Sequence, residues 1–178
     1  MGGSLLPEEI TKISKLKPLK HFVETGTYKA ETAILASYVF DDVHTIEIHD
    51  GLYEENLKKA EKLGINNINF YHGDTVDHLP DIMEKVSVDG AVFFIDAHMS
   101  GPDSGWNGVK HITLIPELET ILTYRPNASI YVFDDVRLWG LYSWSEVSVQ
   151  SIMALMKSCG QKVERQYIEN DRFIVITQ

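Results

Sequence analysis

Apolar residues follow two rhythms along this chain, and the two alternate. Short runs rich in β-branched and aromatic residues fall at 21–25 (HFVET), 43–48 (VHTIEI), 68–72 (INFYH), 91–96 (AVFFID) and 129–134 (SIYVFD). Between them, at 30–38, 53–63, 75–85 and 112–124, apolar residues recur three and four positions apart. The first rhythm predicts strands buried on both faces, and the second predicts helices with one apolar stripe. Leu63-Gly64 marks a helix stop, since glycine accepts the left-handed conformation of a C-terminal cap. Strands alternating with helices predict an α/β protein with a mostly parallel sheet and helices on both faces.

The tail breaks the alternation. Residues 162–168 (KVERQYI), the polar turn Glu169-Asn170-Asp171 and residues 172–177 (RFIVIT) predict two strands joined tightly. That makes a C-terminal antiparallel hairpin at the edge of the sheet. Residues 1–19 carry Pro7 ahead of Glu8-Glu9-Ile10 and predict a short lead-in helix. A parallel sheet closed by an antiparallel hairpin points to the methyltransferase variant of the Rossmann-like fold more than to the dehydrogenase variant.

Composition narrows the function. The 178 residues fit a single domain, 1–178, with 44% apolar and 24% charged residues, ordinary for a globular protein. Sixteen Lys and Arg against 26 Asp and Glu leave a net charge of -10, which repels phosphate backbones and argues against a nucleic-acid partner. No apolar stretch reaches the ~18 residues of a membrane span. The single cysteine, Cys159, excludes an internal disulfide framework and a Cys-rich zinc site. Without a secretory apolar segment after Met1, the expected home is cytoplasmic. Assembly, including a homodimer, stays open.

Ligands of open α/β sheets bind beyond the carboxyl ends of the strands, so the residues there are the candidates for chemistry. The first strand ends in Glu24-Thr25-Gly26-Thr27-Tyr28, where Gly26 lets a ligand approach the backbone and Glu24 favours a cationic group such as an ammonium. Only Gly26 fits the G-x-G-x-x-G template, so a pyrophosphate cradle is poorly supported. Glu47, about twenty residues further on, is placed to accept both hydroxyls of a ribose. Gly73-Asp74 is a turn into a helix, where Asp74 serves either as a cap or as an acceptor for an adenine amino group. The fourth strand ends in Asp96-Ala97-His98 and the fifth in Asp134-Asp135. Three converging carboxylates call for a cation or a proton between them; oxygen-only donors suit Mg²⁺, Mn²⁺ or Ca²⁺, and a site with open positions suits Mg²⁺. His98 is then the candidate general base. The glycine-rich segment 99–110 has the length of a lid. Trp106, Trp139, Tyr142 and Trp144, with Arg137 among them, offer walls for a substrate ring. His21, His44, His49, His72, His78 and His111 show no ligand spacing on one helix and read as core or surface residues.

With ETGTYKAET at 24–32, Glu47, Gly73-Asp74, FIDAH at 94–98 and FDDVR at 133–137 in order, the chain resembles the class I S-adenosylmethionine-dependent methyltransferases. Within them it is similar to the compact metal-dependent O-methyltransferases of the catechol, macrolide-sugar and cephalosporin-hydroxylase-like group. The resemblance runs from about residue 20 to the hairpin. It implies that Glu24, Thr25, Gly26, Thr27 and Tyr28 line the methionine end of S-adenosylmethionine, Glu47 the ribose, and Gly73 and Asp74 the adenine. It also implies that Asp96, Asp134 and Asp135 hold a divalent metal, Mg²⁺ or Mn²⁺, and that Asp96 shares the catalytic and cofactor sites with His98 beside it. Two departures are visible: Ala30 stands where another glycine often sits, and the Asp-Ala-His spacing is one residue shorter than in the sugar enzymes. The expected activity is methyl transfer to a hydroxyl of a small molecule, a sugar or nucleotide-sugar. The competing expectations are an NAD(P)-linked oxidoreductase and a non-catalytic cofactor-binding domain. The incomplete glycine motif and terminal hairpin count against the first, the full acid set against the second.

Overall fold

The computed structural model describes residues 3–96 and 112–178. Their strands are β1 (His21–Thr25), β2 (Asp42–Glu47), β3 (Ile68–His72), β4 (Ala91–Ile95), β5 (Ile130–Phe133), β6 (Val163–Glu169) and β7 (Arg172–Thr177). Their helices are α1 (Pro7–Ser14), α2 (Glu31–Ser37), α3 (Asp50–Leu63), α4 (Thr75–Val86), α5 (Leu114–Thr123) and α6 (Val149–Ser158). All the strands join one sheet in the order β3-β2-β1-β4-β5-β7-β6. The first five run parallel, and β7 pairs antiparallel with both β5 and β6. The sheet is therefore Rossmann-like, with the C-terminal hairpin at its edge as the sequence predicts. Within that hairpin, β7 lies inside the sheet and is buried throughout, while β6 forms the edge.

Alternation along each strand divides the core into two layers. Val23, Ile46, Phe93, Ile95, Tyr131 and Phe133 face α4, α5 and α6, which contribute Leu79, Ile82, Met83, Leu118, Ile121 and Ile152. Phe22, Val43, Val92, Phe94, Ile130 and Val132 face α1 and α2, which contribute Ile10, Ile13, Ala33 and Ala36. Both faces are thus covered, which is why the parallel strands read as near-continuous apolar runs. Trp144, read from the sequence as a substrate wall, is 8% exposed and belongs to the α4–α6 layer of this core.

The boundaries of several elements differ from expectation by one to three residues. The third helix starts at Asp50 rather than 53, because the His49 ring accepts from the Leu52 amide and caps it. Strand β2 begins at Asp42 and ends at Glu47, one residue before the predicted range. Among the described residues, no helix is long and apolar enough to cross a membrane.

Candidate active site

The strand order reverses between β1 and β4, and the crevice at such a switch point is where open α/β sheets bind ligands. Thr25 pairs with Ile95, and Ile95 with Phe133, so the next residues, Gly26, Asp96 and Asp134, line one rim. Glu24 shares the α1/α2 face with Phe22, as Asp96 does with Phe94 and Asp134 with Val132.

The turn after β1 keeps the geometry of a glycine-rich loop with a single glycine. Gly26 has φ 84°, and the amides of Gly26 and Thr27 both donate to the Ile46 carbonyl. Tyr28 (φ 48°) and Ala30 (φ 55°) adopt the left-handed conformation without being glycine, at a cost in backbone strain. Glu24 is buried, and its Oε2 accepts from the Thr45 hydroxyl at 2.7 Å. Burial, reinforced by Asp96 and Glu47, pushes its carboxyl up to about 8. Glu47 is buried at the end of β2, with Oε2 accepting from the Tyr28 amide (2.7 Å) and Oε1 from the His49 amide (2.8 Å). Burial raises its pKa against these two bonds. Glu47 therefore holds the β1 turn and the start of α3 together.

Gly73 and Asp74 follow β3. Gly73 has φ 140°, which L side chains rarely adopt, and a Cβ there would push the His78 ring, 2.8 Å away, aside. The Asp74 side chain caps α4 by accepting from the Val76 amide at 3.1 Å. One turn inward lies a residue the sequence reading passed over. Glu117 on α5 is fully buried and accepts from the Thr75 hydroxyl at 2.5 Å. Thr113 and Thr25 also hydrogen-bond to it, yet burial raises its pKa to about 7. It cross-braces α5, the start of α4 and the end of β1 beneath the rim.

Asp96, Asp134 and Asp135 come together as expected, each offering an oxygen within 4.8 Å of the others. Asp96 is partly buried, and its amide donates to Thr25 Oγ1. Asp134 is 2% exposed, and Asp135 is fully buried with φ 59°. Two arginines also serve the cluster. Arg172, the first residue of β7, places Nε 3.2 Å from Asp134 Oδ1, since Phe173 pairs with Phe133 and the two residues adjoin that antiparallel pair. The same guanidinium donates to Glu9 on α1 (2.8 Å) and to the Gly3 carbonyl (2.8 Å). Arg137 places Nη1 2.5 Å from Asp135 Oδ1 and also pairs with Asp171. Counting Glu9 and Asp171, which share these arginines, five carboxylates against two guanidiniums leave three net negative charges when all are ionised. Burial, with Asp96 beside it, pushes the Asp134 carboxyl up to about 7. The cluster thus accommodates a proton, and its hard oxygen donors at this spacing also fit Mg²⁺ or Mn²⁺. The Gly3 amide donates to Asp134 Oδ2 at 3.0 Å, laying the N-terminal segment against the cluster.

The remaining candidates scatter. Trp139 packs edge-on against Phe133 and Phe173, and its indole Nε1 is buried without a partner among the described residues. Tyr142 is 95% exposed on a 3₁₀ turn. His98, Trp106 and the predicted lid at 99–110 lie outside the described residues.

No protein-family profile matches the chain, and no curated protein is similar to it in sequence. Solved structures are similar in fold. The O-methyltransferase TomG from Streptomyces achromogenes, in complex with S-adenosylmethionine, superposes with a TM-score of 0.64 at 17% identity, covering 96% of this chain and 78% of that one. An O-methyltransferase from Bacillus cereus, in complex with S-adenosylhomocysteine, gives 0.66 at 16% identity, covering 96% and 79%. A S-adenosylmethionine-dependent methyltransferase from Aquifex aeolicus gives 0.57 at 16% identity, with 98% of each chain covered. The fold is that of the class I S-adenosylmethionine-dependent methyltransferases, as the sequence resemblance implied.

Proposed function

We propose that this chain is an S-adenosylmethionine-dependent O-methyltransferase that acts on a hydroxyl of a small molecule, a sugar or nucleotide-sugar, with help from Mg²⁺ or Mn²⁺. The observation that carries the reading is the acidic group Asp96, Asp134 and Asp135 beside Gly26 at the switch-point crevice. The bound cofactor of the neighbours TomG and the Bacillus cereus enzyme supports the choice of cofactor. The single glycine of the β1 turn leaves the NAD(P)-linked alternative without support.

Bound S-adenosylmethionine supplies an electrophilic methyl on its sulfonium. The acceptor oxygen forms the new C–O bond as the C–S bond breaks, and the hydroxyl proton leaves to a base. Glu24 and the turn 25–28 serve the methionine end, with the cofactor's ammonium giving Glu24 the counter-charge that favours its ionised form. Glu47 serves the ribose, and Gly73 and Asp74 the adenine. A divalent cation held by Asp96, Asp134 and Asp135 would lower the pKa of the acceptor hydroxyl. His98 takes the proton, while Trp106, Arg137, Trp139 and Tyr142 meet the acceptor. Most of the acceleration comes from aligning two bound reactants, so the protein needs a rigid rim more than a reactive nucleophile.

The test is calorimetry with S-adenosylhomocysteine, followed by an acceptor screen with sugars, nucleotide-sugars and phenols in the presence of Mg²⁺ or EDTA. S-adenosylhomocysteine binding and chelator-sensitive methyl transfer are the expected results. No binding of S-adenosylhomocysteine overturns the cofactor assignment; full activity in EDTA overturns the metal alone.

A further inference from the structure

The opposite end of the sheet holds a second group of ligating side chains. His21 opens β1 and Asp42 opens β2, and the two are register partners. His44 stands two residues further along β2, so it projects from the same face as Asp42. The sequence offered no helical spacing for these histidines; parallel pairing of two strand starts is what brings them together. Nitrogen atoms of both rings and a carboxylate oxygen lie within 4.8 Å of one another. Both rings address one oxygen, Asp42 Oδ2, with His44 Nε2 at 2.8 Å and His21 Nδ1 at 3.3 Å. Asp42 Oδ1 accepts from the Asn69 amide at 2.7 Å, which fixes the carboxylate. Asp89, between α4 and β4, brings an oxygen to 3.6 Å from His21 Nε2.

We propose that His21, Asp42 and His44 form a binding site for a divalent transition-metal ion of the Zn²⁺ class, with the Asp89 carboxylate at the outer nitrogen of the His21 ring. Two imidazoles and a carboxylate are the donor set that Zn²⁺, Co²⁺ and Ni²⁺ prefer, and Mg²⁺ does not. This chemistry separates the site from the all-oxygen group at the other end of the strands.

The surroundings are those of a supported ligand. His44 is 1% exposed, and its Nδ1 lies 3.0 Å from the Tyr71 hydroxyl, which in turn accepts from Lys85 at 3.1 Å. When Nε2 ligates an ion, the ring proton resides on Nδ1 and is donated to the Tyr71 oxygen. Such an outer partner orients a ligating ring and strengthens it. The Asp42 side chain, 34% exposed, leaves a route in from solvent. A bound ion would cross-link the starts of β1 and β2.

The test uses the intact chain, stripped with chelator and returned to excess Mg²⁺, which fills oxygen-only sites without competing for imidazole. Co²⁺ is then titrated and followed by its visible absorption. The expected result is a single Co²⁺ per chain with the intense bands of a four-coordinate ion, displaced by Zn²⁺. His21→Ala should weaken binding at least tenfold, and Tyr71→Phe, which leaves all donors in place, should weaken it by ~10–100-fold. Absence of Co²⁺ binding at millimolar concentration, or unchanged affinity in a His21→Ala chain that keeps its circular dichroism, overturns the proposal.

Discussion

Glu117 offers the most direct reading of how burial and charge are balanced under the rim. Glu117→Gln keeps the shape of the side chain and an oxygen to accept from the Thr75 hydroxyl, while removing the ionisable group. The native carboxyl titrates at about 7, against 4.5 for the free group, chiefly because it is fully buried. At pH 5 the native chain holds Glu117 protonated, so the variant and the parent should be about equally stable. As pH rises above 4.5 the unfolded chain releases this proton and the folded chain does not, so the parent loses stability until about pH 7 and then levels off. At about 1.4 kcal/mol per pH unit, the accumulated difference in favour of the variant is ~3 kcal/mol at pH 8. For a chain of this size that is a melting temperature higher by ~6–12 °C. Thermal melts of both proteins from pH 5 to pH 8, followed by circular dichroism, measure it. Parallel pH profiles would refute the reasoning, because they would mean that Glu117 ionises in the folded protein as easily as in the unfolded one.

Glu47→Ala should weaken S-adenosylhomocysteine by ~1.5–3 kcal/mol in calorimetry, the worth of hydrogen bonds to a charged group; unchanged affinity would remove Glu47 from the cofactor site. Arg172→Met should destabilise the fold by ~3–5 kcal/mol in urea unfolding, since it strands Glu9 and Asp134 as buried carboxylates without their shared cation. An Arg172→Met chain as stable as the parent would show the pairs to be dispensable. His98→Ala should lower methyl transfer by ~10²–10⁴, with the deficit shrinking at high pH where hydroxide replaces the base; a pH-independent deficit would argue against a proton-transfer role.

Most strands of this protein could be read from the chain because burial on both faces writes an unbroken apolar run, and those runs end within a residue or so of the observed strands. The same runs delivered Gly26, Glu47, Asp96 and Asp134, since a strand's last residue is also a rim residue. What stayed hidden depends on partners remote in sequence. Glu117 sits in an amphipathic helix and looks like one more solvated acid until α5 closes on Thr75. Arg172 looks like the polar start of a hairpin strand until the antiparallel register sets it beside Asp134. Along the chain three strand-end acids call for a cation, whereas the fold sets two guanidiniums beside them, each shared with a further carboxylate. His49 as a helix cap escaped because histidine is not among the residues that favour that position.

The position of β7 has a consequence for how the molecule is born. Strand β5 is laid down well before its neighbour, so a growing chain presents the apolar edge Ile130–Phe133 open until the last strand inserts between β5 and β6. An open apolar edge is a template for pairing with another chain, and large intermediates that expose one are prone to aggregate. Asp134 shares this delay, because its guanidinium partner Arg172 leads the strand that arrives last. Nascent chains halted before Arg172 should therefore expose an unpaired edge and an uncompensated acid at one spot, and depend on chaperones until the hairpin emerges.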